Sequence, residues 1–153
     1  MHQLLNGKLL CLLAGMSLFS LVSYSQSPGK QETVEYINSI LGEKARMEMK
    51  AGTLFVTFYN DQGKVIREDK VQTPDLDLAI TYEEEEGLLC IPCMRDQPDC
   101  VLRVLTVQKV KRTYGRLSIP VSDSKTFHAL RKAFDHLIRT TSEHGYKEAV
   151  TFE

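Results

Sequence analysis

The apolar repeat from Asp123 to Thr141 limits what this chain can fold into more than any other stretch. Phe127, Leu130, Phe134, Leu137, Ile138 and Thr141 fall at the i, i+3, i+4 and i+7 spacing of one helical face, with Ala129 and Ala133 as small neighbours. Lys125, Arg131, Lys132, Asp135 and Arg139 fill the other face. The spacing predicts a helix over Asp123–Thr141, started by Ser122 or Asp123 as N-cap. A stripe this apolar needs a second layer to lie against. Because most of the preceding chain reads as short strands, the helix is expected to close a sheet.

The first residues read as an address. Lys8 supplies a positive start, Leu9–Val22 is an uncharged apolar run, and Ser23 and Ser25 place small residues before a cut at Gln26. The run is shorter than the ~20 residues of a spanning helix, and a polar Ser-Tyr-Ser-Gln-Ser segment follows it. Cys11 lies inside the run after Leu10, which does not suit lipidation. The expectation is a signal peptide, Met1–Ser25, and an exported single domain, residues 26–153, in the periplasm or outside the cell. No integral membrane segment is expected after cleavage.

Removing Lys8 leaves 18 Lys+Arg against 20 Asp+Glu, a net charge of −2. Residues 26–99 carry 8 basic and 15 acidic groups, whereas 100–153 carry 10 and 5. This asymmetry argues against a uniformly basic nucleic-acid binder and is satisfied if the two halves attract each other within the fold.

Along the chain the period changes twice. Val34, Ile37, Ile40 and Leu41 predict a helix over Gln31–Leu41, with Gly42 at its stop. From Arg46 the period is two: Met47 and Met49, a turn at Ala51-Gly52, then Leu54, Val56 and Phe58. Asn60–Gly63 reads as a turn, Lys64–Val71 as a polar strand, and Leu76, Leu78 and Ile80 as another strand after Thr73-Pro74-Asp75. Glu83–Gly87 reads as a solvated hairpin tip. Consecutive carboxylates on an extended segment point to opposite sides and lack the spaced, glycine-turned loop of a calcium site. Leu88–Cys93, Val101–Val110 and Tyr114–Val121 supply three more strands, the middle one long and central, with a turn at Lys111–Gly115.

These elements predict an α+β fold: an N-terminal helix, about seven antiparallel strands in a bent sheet or barrel, and a C-terminal capping helix. The order from Arg46 to Thr141 resembles the pleckstrin-homology-like fold. Phosphoinositide-binding members of that family carry clustered basic residues around the first hairpin. Here Arg46 and Lys50 flank Glu48, so the resemblance does not imply inositol-lipid binding. The chain also resembles small exported bacterial proteins of uncharacterised function. These share a helix after the signal peptide, a cysteine pair flanking a mid-chain hairpin, and a closing helix like Thr126–Ile138.

Cys90, Cys93 and Cys100 remain after export, into a compartment where disulfides persist. Cys90-Ile-Pro-Cys93 is superficially similar to the redox motif of thioredoxin-like proteins, but no helical pattern follows it to lower a thiol pKa. On an extended segment Cys90 and Cys93 stand about 10 Å apart, beyond the roughly 7 Å a disulfide spans. Cys93 and Cys100 flank a six-residue turn and can face each other, so they are the expected bridge, with Cys90 a buried free thiol. Redox chemistry at Cys90 and Cys93 is the alternative.

No other constellation selects a chemistry. His128, His136 and His144 step by eight residues, so they do not share a helical face, and neither metal nor cofactor is expected. No Gly-x-Ser-x-Gly elbow or glycine-rich phosphate loop occurs. Lys109, Lys111, Arg112 and Arg116 form a candidate basic patch on one hairpin, although alternation spreads their side chains over two faces. The expectation is a non-enzymatic exported binding module for a protein or peptide partner, with a sheet edge or the 109–116 hairpin as the contact. An envelope-associated structural protein is a further alternative.

Overall fold

The first helix is set by its ends. In the computed structural model, which describes residues 28–149 with side chains through Ser142, α1 spans Lys30–Leu41. The predicted signal peptide Met1–Ser25 lies outside the described residues. Glu32 accepts the Gly29 N–H at 3.0 Å, which satisfies a donor that a helix start leaves open. Gly42, at φ 61, ends the helix. Thr33, Val34 and Ile37 are the buried residues of α1.

Eight antiparallel strands follow: β1 (Ala45–Lys50), β2 (Thr53–Tyr59), β3 (Val65–Gln72), β4 (Thr81–Glu83), β5 (Leu88–Pro92), β6 (Val101–Leu105), β7 (Val110–Tyr114) and β8 (Arg116–Pro120). The final helix, α2, runs over Ser124–Ala149. One sheet has the order β1-β2-β3-β6-β7 and the other β4-β5-β8. The described residues are therefore α+β, with two helices and an unclosed pair of antiparallel sheets.

Two strand assignments differ from the sequence reading. Leu76–Ile80 is a loop, because Thr73–Asp75 forms a 3-10 turn and Asp77 accepts the Ala79 N–H at 3.1 Å. Its apolar residues still enter the core, with Leu76 and Ile80 buried. The expected long strand Val101–Val110 breaks instead at Thr106–Lys109, where Lys109 adopts φ 53. Residues 110–114 therefore form a strand and not a turn. No glycine, proline or asparagine marks that break.

The two sheets meet at one kinked strand. Only Gly115 separates β7 from β8. β6 pairs along the first half, β5 pairs along the second, and the Cys93 N–H to Gly115 carbonyl bond (2.8 Å) carries the β5–β8 ladder to the kink. A disulfide joins Cys93 to Cys100, linking the end of β5 to the start of β6 with Cα atoms 5.8 Å apart. The loop between the cysteines passes over Gly115, where an added Cβ would stand 2.9 Å from the Pro98 carbonyl oxygen. Glycine is needed there for close approach rather than for its backbone freedom.

The core lies between the sheets and the helices. Leu54, Val56 and Val71 meet Leu89, Ile91, Leu117 and Ile119, and α2 adds Phe127, Leu130, Phe134, Leu137 and Ile138, all buried. Each large apolar side chain contributes about 1.5–3 kcal/mol before ordering costs. Thr141 sits in the same stripe because its hydroxyl donates to the Leu137 carbonyl at 2.8 Å. Asp123 is the N-cap of α2, accepting the Thr126 N–H at 2.7 Å.

Candidate functional site

A sheet edge can pair with another chain only where its N–H and C=O groups are free. The β1 edge is capped at its middle residue. The Asn38 amide of α1 donates to the Met47 carbonyl (2.8 Å) and accepts the Met47 N–H (2.7 Å), occupying both groups. β4 is three residues long, and its Tyr82 ring stacks on Phe127 with centroids 4.9 Å apart.

The β7 edge differs. The Thr106 N–H bonds back to Ile66 beside β3, so in β6 the backbone groups of Leu105, Arg103 and Val101 turn toward β7. Their partners Val110, Arg112 and Tyr114 face β6, which leaves Lys111 and Thr113 with N–H and C=O groups directed outward. Lys111, Arg112 and Thr113 are all exposed. Past the kink the same side of the strand is taken by β5, and at Met94 the chain leaves that line, its N–H bonding to the Asp75 carbonyl at 2.8 Å.

Behind this edge lies a charged row that sequence reading missed. Asp69, Arg103 and Arg112 stand in direct cross-strand register on one face. Asp69 is 2% exposed. Arg103 donates to both of its carboxylate oxygens (2.8 and 2.9 Å), and Arg67 also pairs with it. Arg67 reaches on to the Ser118 carbonyl of β8 at 2.6 Å, joining the sheets where no strand pairing does. The guanidinium groups lie over aromatic rings, Arg67 on Phe58 (4.1 Å) and Arg103 on Tyr114 (4.4 Å). The available signal was Arg103, a charge within the apolar run Val101-Leu-Arg-Val-Leu105, which burial forces to find a counter-ion.

The four residues of the predicted basic patch are only partly brought together. Lys109, Lys111 and Arg112 belong to the β6–β7 hairpin, whereas Arg116 lies past the kink and pairs with Glu83 of β4. The hydrogen bond that Arg116 donates to the Glu83 carboxylate raises the Arg116 pKa above its ordinary value. Alternation sends Arg112 to the face shared with Arg103 and Lys111 to the opposite face.

Cys93 is bonded to Cys100, and Cys90 is a buried free thiol. Burial pushes the Cys90 thiol up, an effect that Arg116 opposes and Glu83 reinforces. A protonated, covered thiol is a poor nucleophile. Of the histidines with described side chains, His136 meets the Pro28 carbonyl at 2.8 Å, and His128 sits 5.2 Å from the Phe127 ring. Among the described residues no group of three or more His, Cys, Asp or Glu side chains is arranged to hold a metal ion. No helix among them is long and apolar enough to cross a membrane.

An open cleft of about 600 Å³ lies where the end of α1 meets the start of α2. Ile40, Phe58, Val121 and Leu130 line its apolar part, and Lys44 and Asp61 carry charge at its border. Asp123 already occupies the first turn of α2, so that helix start offers no empty anion site. No family model matches the chain, and no curated protein or solved structure matches it either.

Proposed function

We propose that this protein is a non-enzymatic exported interaction module that takes up an extended segment of a partner protein along β7. The observation that carries this is the contrast between edges: Asn38 occupies both backbone groups of Met47 in the middle of β1, while Lys111 and Thr113 turn theirs outward. Main-chain pairing to such an edge provides affinity, and alternate side chains provide selectivity. The strand is backed by a rigid layer, because the Cys93–Cys100 disulfide and the Arg67–Asp69–Arg103 cluster hold the sheet on both sides of the kink.

Export rests on the Met1–Ser25 pattern and agrees with a disulfide that an oxidising compartment preserves. The pleckstrin-homology-like assignment rests on a bent antiparallel sheet closed by a C-terminal helix. The pairing of β3 with β6 departs from a simple meander. The thiol–disulfide alternative would need Cys90 to reach Cys93, which is already bonded to Cys100.

The test is an NMR titration of the disulfide-bonded protein with blocked extended heptapeptides. Edge pairing shifts the Lys111 and Thr113 amides, and Thr113→Pro abolishes binding by removing one outward N–H. Peptide binding that perturbs only the cleft beside Phe58 and Leu130 would overturn the proposal.

A further inference from the structure

We infer that the strand accepted at β7 is acidic, with an Asp or Glu directly opposite Arg112. This rests on the edge-pairing reading above and adds the chemistry of the occupant. Lys109, Lys111 and Arg112 cluster on the exposed hairpin, and none forms an ion pair among the described residues. The cross-strand row explains why Arg112 matters most. It runs Val56, Asp69, Arg103, Arg112 across four neighbouring strands. Arg103 is neutralised by Asp69, but Arg112 faces Arg103 with no carboxylate of its own. Like charges directly opposite each other in a sheet are unfavourable, and opposite charges are favourable. A strand added at the edge places its next side chain beside Arg112, and a carboxylate there completes the row as acid, base, base, acid.

The same charges say which occupant is excluded. A symmetric pairing with the β7 of a second copy would oppose basic residues to basic residues in each register centred on Lys111 or Arg112. The chain's own acidic run offers no matching strand, since Glu84–Glu86 sit in the turn of the β4–β5 hairpin. The occupant is therefore a segment of a different protein. An incoming strand antiparallel to β7 runs collinear with β5 over the five residues Val110–Tyr114. It is bounded by Met94, 40% exposed, at one end and Val107, 72% exposed, at the other, so apolar residues flanking the acid suit it.

The test compares three blocked heptapeptides, Ser-Val-Glu-Val-Glu-Val-Ser and its Gln and Lys counterparts, titrated into the disulfide-bonded protein at low and high salt. The Glu peptide is expected to shift the Lys111 and Thr113 amides and to bind about tenfold more tightly than the Gln peptide. The gap should shrink at ~0.5 M salt, where exposed charges are screened. Arg112→Glu should reverse the preference in favour of the Lys peptide. Its melting temperature, expected not to fall because a carboxylate opposite Arg103 is favourable, serves as the folding control. Equal binding of Glu and Gln peptides at the same amides would overturn the acidic occupant while leaving edge pairing intact. No shift of those amides with any peptide would overturn both. Concentration-dependent self-association without peptide, removed by Thr113→Pro, would replace the foreign strand with a second copy.

Discussion

The two outer strands of the five-stranded sheet are treated in opposite ways. β1 is covered by its neighbour in sequence: α1 lies against it, and one amide, Asn38, satisfies both polar groups of Met47. Among the described residues β7 has no such cover, and three consecutive exposed residues, Lys111, Arg112 and Thr113, stand along it. Charge is a common protection for an open edge because it repels a like edge. It also selects, since the field that rejects a basic strand admits an acidic one. An edge closed by a side chain is finished structure, whereas an edge defended only by charge can still accept a strand of the opposite sign.

The layer behind the open edge carries the largest expected effect. Asp69→Ala leaves Arg67 and Arg103 half-buried without a counter-ion, which should destabilise the fold by about 3–5 kcal/mol. Urea unfolding measures the loss. An unchanged midpoint would mean that the cluster is solvated rather than structural. Next comes the clasp at the kink. Replacing Cys93 and Cys100 together with Ser opens an eight-residue ring, and the chain-entropy model gives a loss of about 2–3 kcal/mol. Cys90 should stay unlabelled by thiol reagents in both forms until the protein unfolds, because burial keeps the thiol protonated.

The closed edge offers the converse test. Asn38→Leu removes the cap from Met47 and leaves two backbone groups without partners, at about 1–3 kcal/mol. It also converts β1 into a second open edge, so light scattering should show association that the parent protein lacks. If the variant remained monomeric and equally stable, Asn38 would not be what closes β1.

Much of this was legible in the sequence, and the division follows the range of the signals. Both helices and the first hairpin could be read from nearby residues: apolar spacing in the helices, and Ala51-Gly52 in the turn at φ 47 and 77. The cysteine spacing was equally local, since Cys93 and Cys100 lie seven positions apart. The strand order was not legible, because pairing of β3 with β6 depends on the whole β4–β5 hairpin being set aside into the second sheet. The candidate site was half visible. Lys111 and Arg112 stood out as charges, but the direction of their backbone groups depends on register with β6. Asn38 and Asp69 looked like ordinary surface polar residues until partners nine and thirty-four positions away were placed beside them.

Smaller effects sharpen the picture. Hydrogen bonds from the Thr126 N–H and from the Ser122 and Thr126 hydroxyls hold the Asp123 carboxyl below the usual carboxylate range. Its folded pKa is lowered, so the stability it adds is complete above the unfolded value of about 3.9 and is lost as pH falls through the folded value. Asp123→Asn should therefore melt lower than the parent at neutral pH and converge with it in strong acid. A constant gap across that range would contradict the cap's charge. Thr113→Pro should change stability least, within about 0.5 kcal/mol, because proline is tolerated on an edge whose N–H faces solvent. A large loss would place that N–H inside the sheet.

Residue-by-residue amide hydrogen exchange of the free protein tests the difference between the two edges most directly. Met47 should exchange slowly because Asn38 holds its N–H. Along β7, Arg112 and Tyr114 should be protected by β6, while Lys111 and Thr113 between and beside them exchange almost as fast as unstructured chain. Uniform protection from Val110 to Tyr114, or a Met47 amide as fast as Lys111, would contradict an open β7 and a closed β1.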